Sequence, residues 1–276
     1  MPTMTLSAAG THATVSYTDD GSGPPVLLLH AALHDRTDYT SVHGALGAGR
    51  RVIALDWPGH GESPSADDEP LGAVELGDLA VEFADRLDLS NVVVVGNSIG
   101  GYAACRLAIE RPGRVAGVVL VNTGGFTPPT AVIRAFCAVM GRPWVIRSGA
   151  SLFVRAYMHA KTPAECAMVS RVVARAHTTS GSRTAAALWR SFTEPGHDLR
   201  DRAAGITAPV LITWGTKDPT ATTKWGRAVQ AAIPGSTFVG LSTGHVVFAG
   251  DPDGWLNSVL PFVESAHSVD RPATRG

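Results

Sequence analysis

The stretch Val92-Val93-Val94-Val95-Gly96-Asn97-Ser98-Ile99-Gly100-Gly101 decides how the rest of this 276-residue chain is read. Four consecutive valines predict a strand buried on both faces, as in the middle of a parallel sheet. Gly101 to Arg111 predicts a helix, with Leu107 and Ala108 apolar and Pro112-Gly113 ending it. Between them, Gly96-x-Ser98-x-Gly100 matches the strand–turn–helix pattern called a nucleophile elbow. The chain must reverse there within about one residue, which puts Ser98 in a sparsely populated backbone region at roughly 1–3 kcal/mol. Glycines on either side remove Cβ atoms that would collide where strand and helix come close. The Ser98 hydroxyl is thereby lifted above the sheet, with the first N–H groups of the helix aimed at the same spot. Gly-x-Ser-x-Gly alone is a weak pattern in a glycine-rich chain, so its flanks and the rest of the sequence carry the reading.

Working outward, Ala13 to Asp19 reads as a strand, followed by the turn Asp20-Gly21-Ser22-Gly23-Pro24. Pro25 to His30 is a buried-strand run that leads into Ala31-Ala32-Leu33-His34-Asp35 and a helix over 41–46. Arg51 to Leu55 is the next strand and runs into Asp56-Trp57-Pro58-Gly59-His60-Gly61-Glu62-Ser63. Val74 to Leu87 has helical periodicity, with Leu76, Leu79, Ala80 and Phe83 on one side. Beyond the elbow, Val115 to Val121 is strand-like, and the pattern resumes later with strands at 209–214 and 237–241. Helices are predicted at 224–232 and 253–264, and 267–276 reads as a polar, frayed end. Strands and helices alternating at this spacing predict a parallel sheet with helices on both faces.

The alternation breaks between Phe126 and Arg202, where several helical stretches and no convincing strand occur. Thr162-Pro163-Ala164-Glu165 is a capping-box start with proline at the first helical position. Large apolar residues concentrate in this insertion: Phe136, Trp144, Phe153, Tyr157, Trp189 and Phe192. Most are expected to pack these helices together, with a minority facing down as a lid over Ser98.

The formal net charge of −1 offers no basic surface for nucleic acid or an anionic membrane. The three cysteines, Cys105, Cys137 and Cys166, have no metal or disulfide spacing and are expected to be reduced, packed thiols. No signal-peptide pattern opens the chain and no run of about 18 apolar residues exists. A cytoplasmic protein is therefore expected, monomeric or homodimeric, with a small-molecule substrate as its partner.

Four motifs in order give the chain its resemblance, which runs from about Ala13 to Glu264. They are the loop after Leu27-Leu28-Leu29-His30, Asp56-x-Pro58-Gly59-x-Gly61-x-Ser63, the Gly-x-Ser-x-Gly-Gly elbow, and Gly215-x-x-Asp218 followed by Gly244-His245. On these the chain resembles the α/β-hydrolase superfamily. The resemblance implies a mostly parallel eight-stranded sheet flanked by helices, with a helical cap inserted after the sixth strand. The hydrolase core would span residues 1–125 and 203–276, and the cap 126–202. The family order of nucleophile, acid and histidine falls on Ser98, Asp218 and His245.

The chemistry asks for the same roles: a serine hydroxyl needs a base to take its proton, and the base needs a carboxylate to fix its tautomer. Standing alone, Asp218-Pro219 would read as a turn and His245 as a satisfied buried histidine. The resemblance places the oxyanion donors at the backbone N–H groups of Ile99 and Ala32. Ala31 stands where the family pattern has glycine, which puts the aim of that loop in question. His30, His34 and His60 read as structural, with His34 a candidate pocket residue beside Trp144, Phe153, Tyr157, Trp189 and Val246. Asp35 and Asp38 near these histidines lack metal-ligand spacing, so no metal and no cofactor is expected.

The expected activity is acyl-enzyme hydrolysis of a carboxylic ester or lactone. The elbow also resembles that of carbon–carbon bond hydrolases, yet Ala31-Ala32-Leu33 and Val246 depart from their Gly-Pro-Gly loop and their tryptophan after the histidine. Lyase or peroxidase-like chemistry on the same triad, and a small-molecule receptor on the same fold, are the remaining alternatives.

Overall fold

The computed structural model describes residues 1–8, 10–66 and 70–268. Eight strands form one sheet: β1 (Thr3–Ala8), β2 (Thr11–Asp20), β3 (Pro25–Leu29), β4 (Arg51–Leu55), β5 (Val92–Asn97), β6 (Val115–Val121), β7 (Val210–Gly215) and β8 (Thr237–Leu241). Their spatial order is β1-β2-β4-β3-β5-β6-β7-β8. The first two strands pair antiparallel and β2 meets β4 antiparallel, while every pairing from β4 to β8 is parallel.

The valine run occupies β5, between β3 and β6. Its side chains alternate between two cores because successive residues of a strand face opposite ways. Val92 and Val94 pack with Leu79, Phe83, Tyr102 and Leu107. These belong to helices α2 (Ala73–Arg86) and α3 (Ile99–Glu110) on one face. Val93 and Val95 pack with Val42, Leu46, Val259 and Val263. Those come from α1 (Thr40–Leu46) and α10 (Pro252–Ser268) on the other face. A strand covered on both sides needs valine at every position, which is why the run has no polar alternation.

Between β6 and β7 lie α4 (Ala131–Met140), α5 (Pro143–Met158), α6 (Pro163–His177) and α7 (Thr179–Ser191). The capping box at the start of α6 forms: Thr162 Oγ1 accepts from the Glu165 N–H at 3.2 Å, and Glu165 Oε2 accepts from the Thr162 N–H at 2.9 Å. After β7 come α8 (Thr223–Ala232) and, past β8, the single-turn α9 (Val247–Gly250). No helix among the described residues is long and apolar enough to cross a membrane.

Three local expectations change. Strand β1 is an addition to the expected set: Thr3 to Ser7 alternates polar and apolar over a short run at the sheet edge, with Leu6 buried and Met4 half-buried. The final helix continues past Glu264 to Ser268, with His267 Nε2 3.3 Å from the Pro25 carbonyl; residues 269–276 of the expected frayed end lie outside the described residues. Cys105 and Cys137 are buried as expected, whereas Cys166 is exposed on α6.

Candidate active site

The parallel strands end level with one another, since Leu29 pairs with Gly96, Asn97 with Val121 and Gly215 with Leu241. Every candidate residue of the core follows one of these carboxyl ends, where open α/β sheets present their clefts. Ser98 directly follows β5, with φ 55° and ψ −113°. Its strained backbone is held from several sides. The Ser98 N–H donates to Val121 O at 2.9 Å, and Ser98 O accepts from the N–H groups of Gly101, Tyr102 and Gly124. A Cβ on Gly96 would lie 2.2 Å from Gly100 O, and one on Gly100 would lie 2.1 Å from Leu29 O. Both glycines of the motif are therefore required by backbone contact, not merely by flexibility.

Asp218 and His245 come from the loops after β7 and β8. His245 Nδ1 donates to Asp218 Oδ2 at 2.5 Å, which leaves Nε2 as the ring's acceptor. The same carboxylate oxygen accepts from Asn122 Nδ2 at 2.9 Å. Asp218 Oδ1 accepts from the Thr220 N–H and hydroxyl, at 2.8 and 2.7 Å, and from the Ala221 N–H at 3.1 Å. Burial pushes this carboxyl up, but the neighbouring imidazole and the Thr220 donors outweigh it and leave the pKa at about 2. The backbone of His245 is fixed as well: its N–H donates to Tyr157 O at 2.9 Å, and its carbonyl accepts from Asn97 Nδ2 at 3.1 Å.

Ser98 and His245 border one cavity of about 420 Å³. Among the described residues Ser98 Oγ makes no hydrogen bond to the ring, a contact that commonly tightens only when a ligand binds. Ala31 and Ala32 line the same cavity. The loop takes its left-handed residue at Leu33, φ 65°, and neither Ala31 nor Ala32 has positive φ. Alanine at 31 thus fits without strain, and the turn closes through the His34 N–H to Ala31 O bond of 3.2 Å. Ile99 opens α3, a position with no carbonyl one turn back to engage its N–H.

Of the residues expected to bind substrate, His34, Phe153, Tyr157 and Trp189 line the cavity, and Trp144 and Val246 do not. From α5 the cavity is lined by Val145, Ile146, Gly149, Ala150, Leu152, Phe153, Val154, Ala156 and Tyr157. Trp144 lies about 100° round the helix from Val145 and points outward. Val246 is buried in the core below α9 instead. Thr220, Leu188 and Phe192 line the cavity without having been expected to. Leu188 and Phe192 carry no signal separating them from core packing.

His34 is part of a buried chain. Its Nδ1 bonds to the Asp38 carboxylate, so Nε2 accepts the Tyr157 hydroxyl at 2.9 Å, a tautomer assigned from these partners. The Tyr157 ring lies edge-on to His245, centroids 5.3 Å apart. Asp35 and Asp38 are engaged by Arg171 and Arg175 of α6, and Arg175 Nη1 also donates to Leu33 O at 2.6 Å and His34 O at 2.5 Å. Burial lowers the pKa of His60 and takes that of His30 to about 3. Both rings are therefore neutral struts: His30 Nε2 accepts the Trp57 N–H at 3.0 Å, and its carbonyl accepts Trp57 Nε1–H at 2.9 Å. Among the described residues no three His, Cys, Asp or Glu side chains form a metal-binding group.

Comparison with known proteins agrees with this architecture. The profile of the Alpha/beta hydrolase family matches residues 26–258. A 2-hydroxy-6-oxononadienedioate/2-hydroxy-6-oxononatrienedioate hydrolase of Burkholderia vietnamiensis is 32% identical over 228 residues, covering 76% of this chain and 76% of that protein. A thermophilic esterase from Thermogutta terrifontis superposes with a TM-score of 0.83 at 22% identity, covering 97% of this chain and all of that one. The enol-lactonase from Burkholderia xenovorans superposes at 0.80 with 24% identity, covering 95% of this chain and 100% of that one. At those identities the two superpositions speak for the fold alone. With a family profile spanning most of its length, the chain belongs to the alpha/beta hydrolase family and is a hydrolase enzyme.

Proposed function

We propose that this enzyme cleaves carboxylic esters or lactones of small apolar substrates, without a cofactor, through an acyl-enzyme on Ser98. The observation that carries this reading is the Asp218–His245 pair bordering the same apolar cavity as Ser98. In the first step Ser98 Oγ bonds to the substrate carbonyl carbon while its proton passes to His245 Nε2. The tetrahedral oxyanion is held by the N–H groups of Ile99 and Ala32. The carbon–oxygen bond to the leaving group then breaks as Nε2 returns the proton to the departing alcohol. A water activated by the same nitrogen releases the acid and restores Ser98. Asp218, ionised throughout, stabilises the imidazolium and fixes its tautomer. The insertion from 126 to 202 serves as the cap over this site.

The cavity lining supports a neutral substrate. Among the described residues that line it there is no Lys, Arg, Asp or Glu. A dicarboxylate, such as the substrate named for the Burkholderia vietnamiensis relative, would lose its hydration there with no cation to replace it, at several kcal/mol per charge. Carbon–carbon hydrolysis on the same triad is the second reading, favoured by the identity to that relative.

One panel separates the two readings: p-nitrophenyl esters with neutral and ω-carboxylate acyl chains, neutral lactones, and ring-fission diketo acids, with wild type and Ser98→Ala. Turnover of neutral esters or lactones that vanishes in Ser98→Ala is the expected result. Exclusive turnover of the diketo acids would replace it with the second reading. A fluorophosphonate probe should label Ser98; failure to label the folded enzyme would remove the serine from its role.

A further inference from the structure

We propose that the outer face of α4 and α5 docks on an anionic lipid bilayer, setting the cavity mouth against the membrane. Helix α4, Ala131-Val-Ile-Arg-Ala-Phe-Cys-Ala-Val-Met140, buries only Cys137. Val132, Phe136 and Val139 form one helical stripe and are 75%, 44% and 48% exposed. On α5, Trp144 and Leu152 are 64% and 80% exposed. These five are all of the large exposed apolar side chains among the described residues apart from Met1. Two of them reach the cavity mouth: Leu152 lines the cavity, and Phe136 packs edge-on against Trp189, itself a lining residue.

Charge identifies the partner. Residues 126–202 hold eleven of the chain's 23 Lys and Arg and four of its 24 Asp and Glu, of which a single one lies on helices α4 to α7. That one, Glu165, is buried and occupied with the Lys161 and Thr162 N–H groups. The near-neutral total therefore hides a cationic insertion balanced by an acidic core, and the expectation of no membrane partner rested on that total. Arg171 and Arg175 are bound to Asp35 and Asp38 beneath the insertion. Arg142, Arg147 and Arg155 are exposed and make no ion pair among the described residues. Along α5 the outward positions are Trp144, Arg147, Ser148, Ser151, Leu152 and Arg155, an interfacial mixture of apolar anchors and arginine with no carboxylate.

The other occupants fit this surface less well. A second copy docked face to face would oppose like charges. A nucleic acid would satisfy the arginines but leave Val132, Val139 and Leu152 against phosphates. A bilayer with phosphate headgroups over acyl chains satisfies both kinds of side chain. Its consequence is that a substrate dissolved in lipid reaches the cavity without crossing bulk water. The inference concerns binding and holds whatever bond the enzyme cleaves.

The test is co-sedimentation of the full chain with vesicles of phosphatidylglycerol and phosphatidylcholine, 3:7, against pure phosphatidylcholine. Partitioning at least tenfold higher on the anionic vesicles is expected, falling tenfold or more in Arg147→Glu/Arg155→Glu and in Val132→Ser/Trp144→Ser. Both variants should keep wild-type turnover of a water-soluble ester, which shows that they fold. Equal partitioning on the two vesicles, or binding unchanged in the folded variants, would overturn the proposal. So would absence of vesicle binding together with a dimer in sedimentation that Val132→Ser/Trp144→Ser converts to monomer.

Discussion

The backbone N–H of His245 donates to the carbonyl of Tyr157 at 2.9 Å, so the last turn of α5 in the insertion holds the loop that carries the imidazole. Gly244 makes this approach possible, because a Cβ there would lie 2.0 Å from Met158 O. Gly215 is stacked beneath it, 1.8 Å from Gly244 O to a hypothetical Cβ. Gly244→Ala must push the loop away from α5 by about an ångström. Misplacement on that scale costs on the order of 10²-fold in rate. Steady-state kinetics should show that loss in kcat, with a lowered Tm.

Asn122 ties the ends of β6 and β7 to the acid. Its Nδ2 donates to Asp218 Oδ2, and its Oδ1 accepts the Gly215 N–H at 2.7 Å. With φ 39° it also sits in the left-handed region that asparagine tolerates better than most residues. Asn122→Ala leaves a buried N–H unpaired and frees one side of the carboxylate, a loss of about 1–3 kcal/mol. The expected readout is a kcat lower by roughly five- to 150-fold at similar KM, by the same conversion.

The carboxylate of Asp218 should not titrate in the working range. Its folded pKa, about 2, lies below the ordinary value, so its stabilisation is present above about pH 4 and is lost as pH falls toward 2. A change of kcat/KM between pH 5 and 8 is therefore not the titration of Asp218. Asp218→Asn should retain the fold and lose about 10⁴-fold in kcat, the scale of a wrong histidine tautomer.

Three buried histidines predict acid sensitivity. Burial takes His30 to about 3 and His197 to about 4, and lowers His60 likewise. The unfolded chain binds these protons below about pH 6.5 and the folded chain does not. Stability is therefore complete above that pH and falls as pH drops toward 4, by about 1.4 kcal/mol per pH unit for each histidine. His197 stacks between Tyr102 and Phe192, and its buried Nε2 has no hydrogen-bond partner among the described residues. His197→Phe should flatten the fall of Tm between pH 6.5 and 4; an unchanged slope would refute the assignment.

Arg175 joins the insertion to the loop that carries Ala32. Besides its ion pair with Asp35, it donates to the carbonyls of Leu33 and His34. Arg175→Met keeps the apolar stem and removes these bonds. The expected effect is a kcat reduced by tenfold or more, with faster hydrogen exchange across residues 31–38. Exchange unchanged from wild type would mean that the loop holds its shape without α6.

Local pattern was enough to locate seven of the eight strands, the strand–turn–helix at Ser98 and the start of α6. Each depends on neighbours a few residues apart: a valine run covered from both sides, glycines at a reversal, a capping box. Strand β1 escaped because its alternation, Met4 and Leu6 between Thr3, Thr5 and Ser7, runs for only a few residues at the sheet edge. The contacts that hold Asp218 and His245 were a different matter. Asn122 meets its acid across 96 residues and Arg175 its carbonyl partners across more than 140, separations at which nothing in the sequence marks a pair.

What the amino-acid sequence determined by itself is the order of the elements and the places of Ser98, Asp218 and His245 after the fifth, seventh and eighth strands. Only the tertiary structure decided which side of α5 faces the cavity, separating Val145 from the neighbouring Trp144, and where the insertion's positive charge is displayed. Helical periodicity defines faces relative to one another, whereas packing against the rest of the molecule chooses which of them meets water. Net charge, likewise, is a sum over the whole chain and carries no direction until the chain is folded.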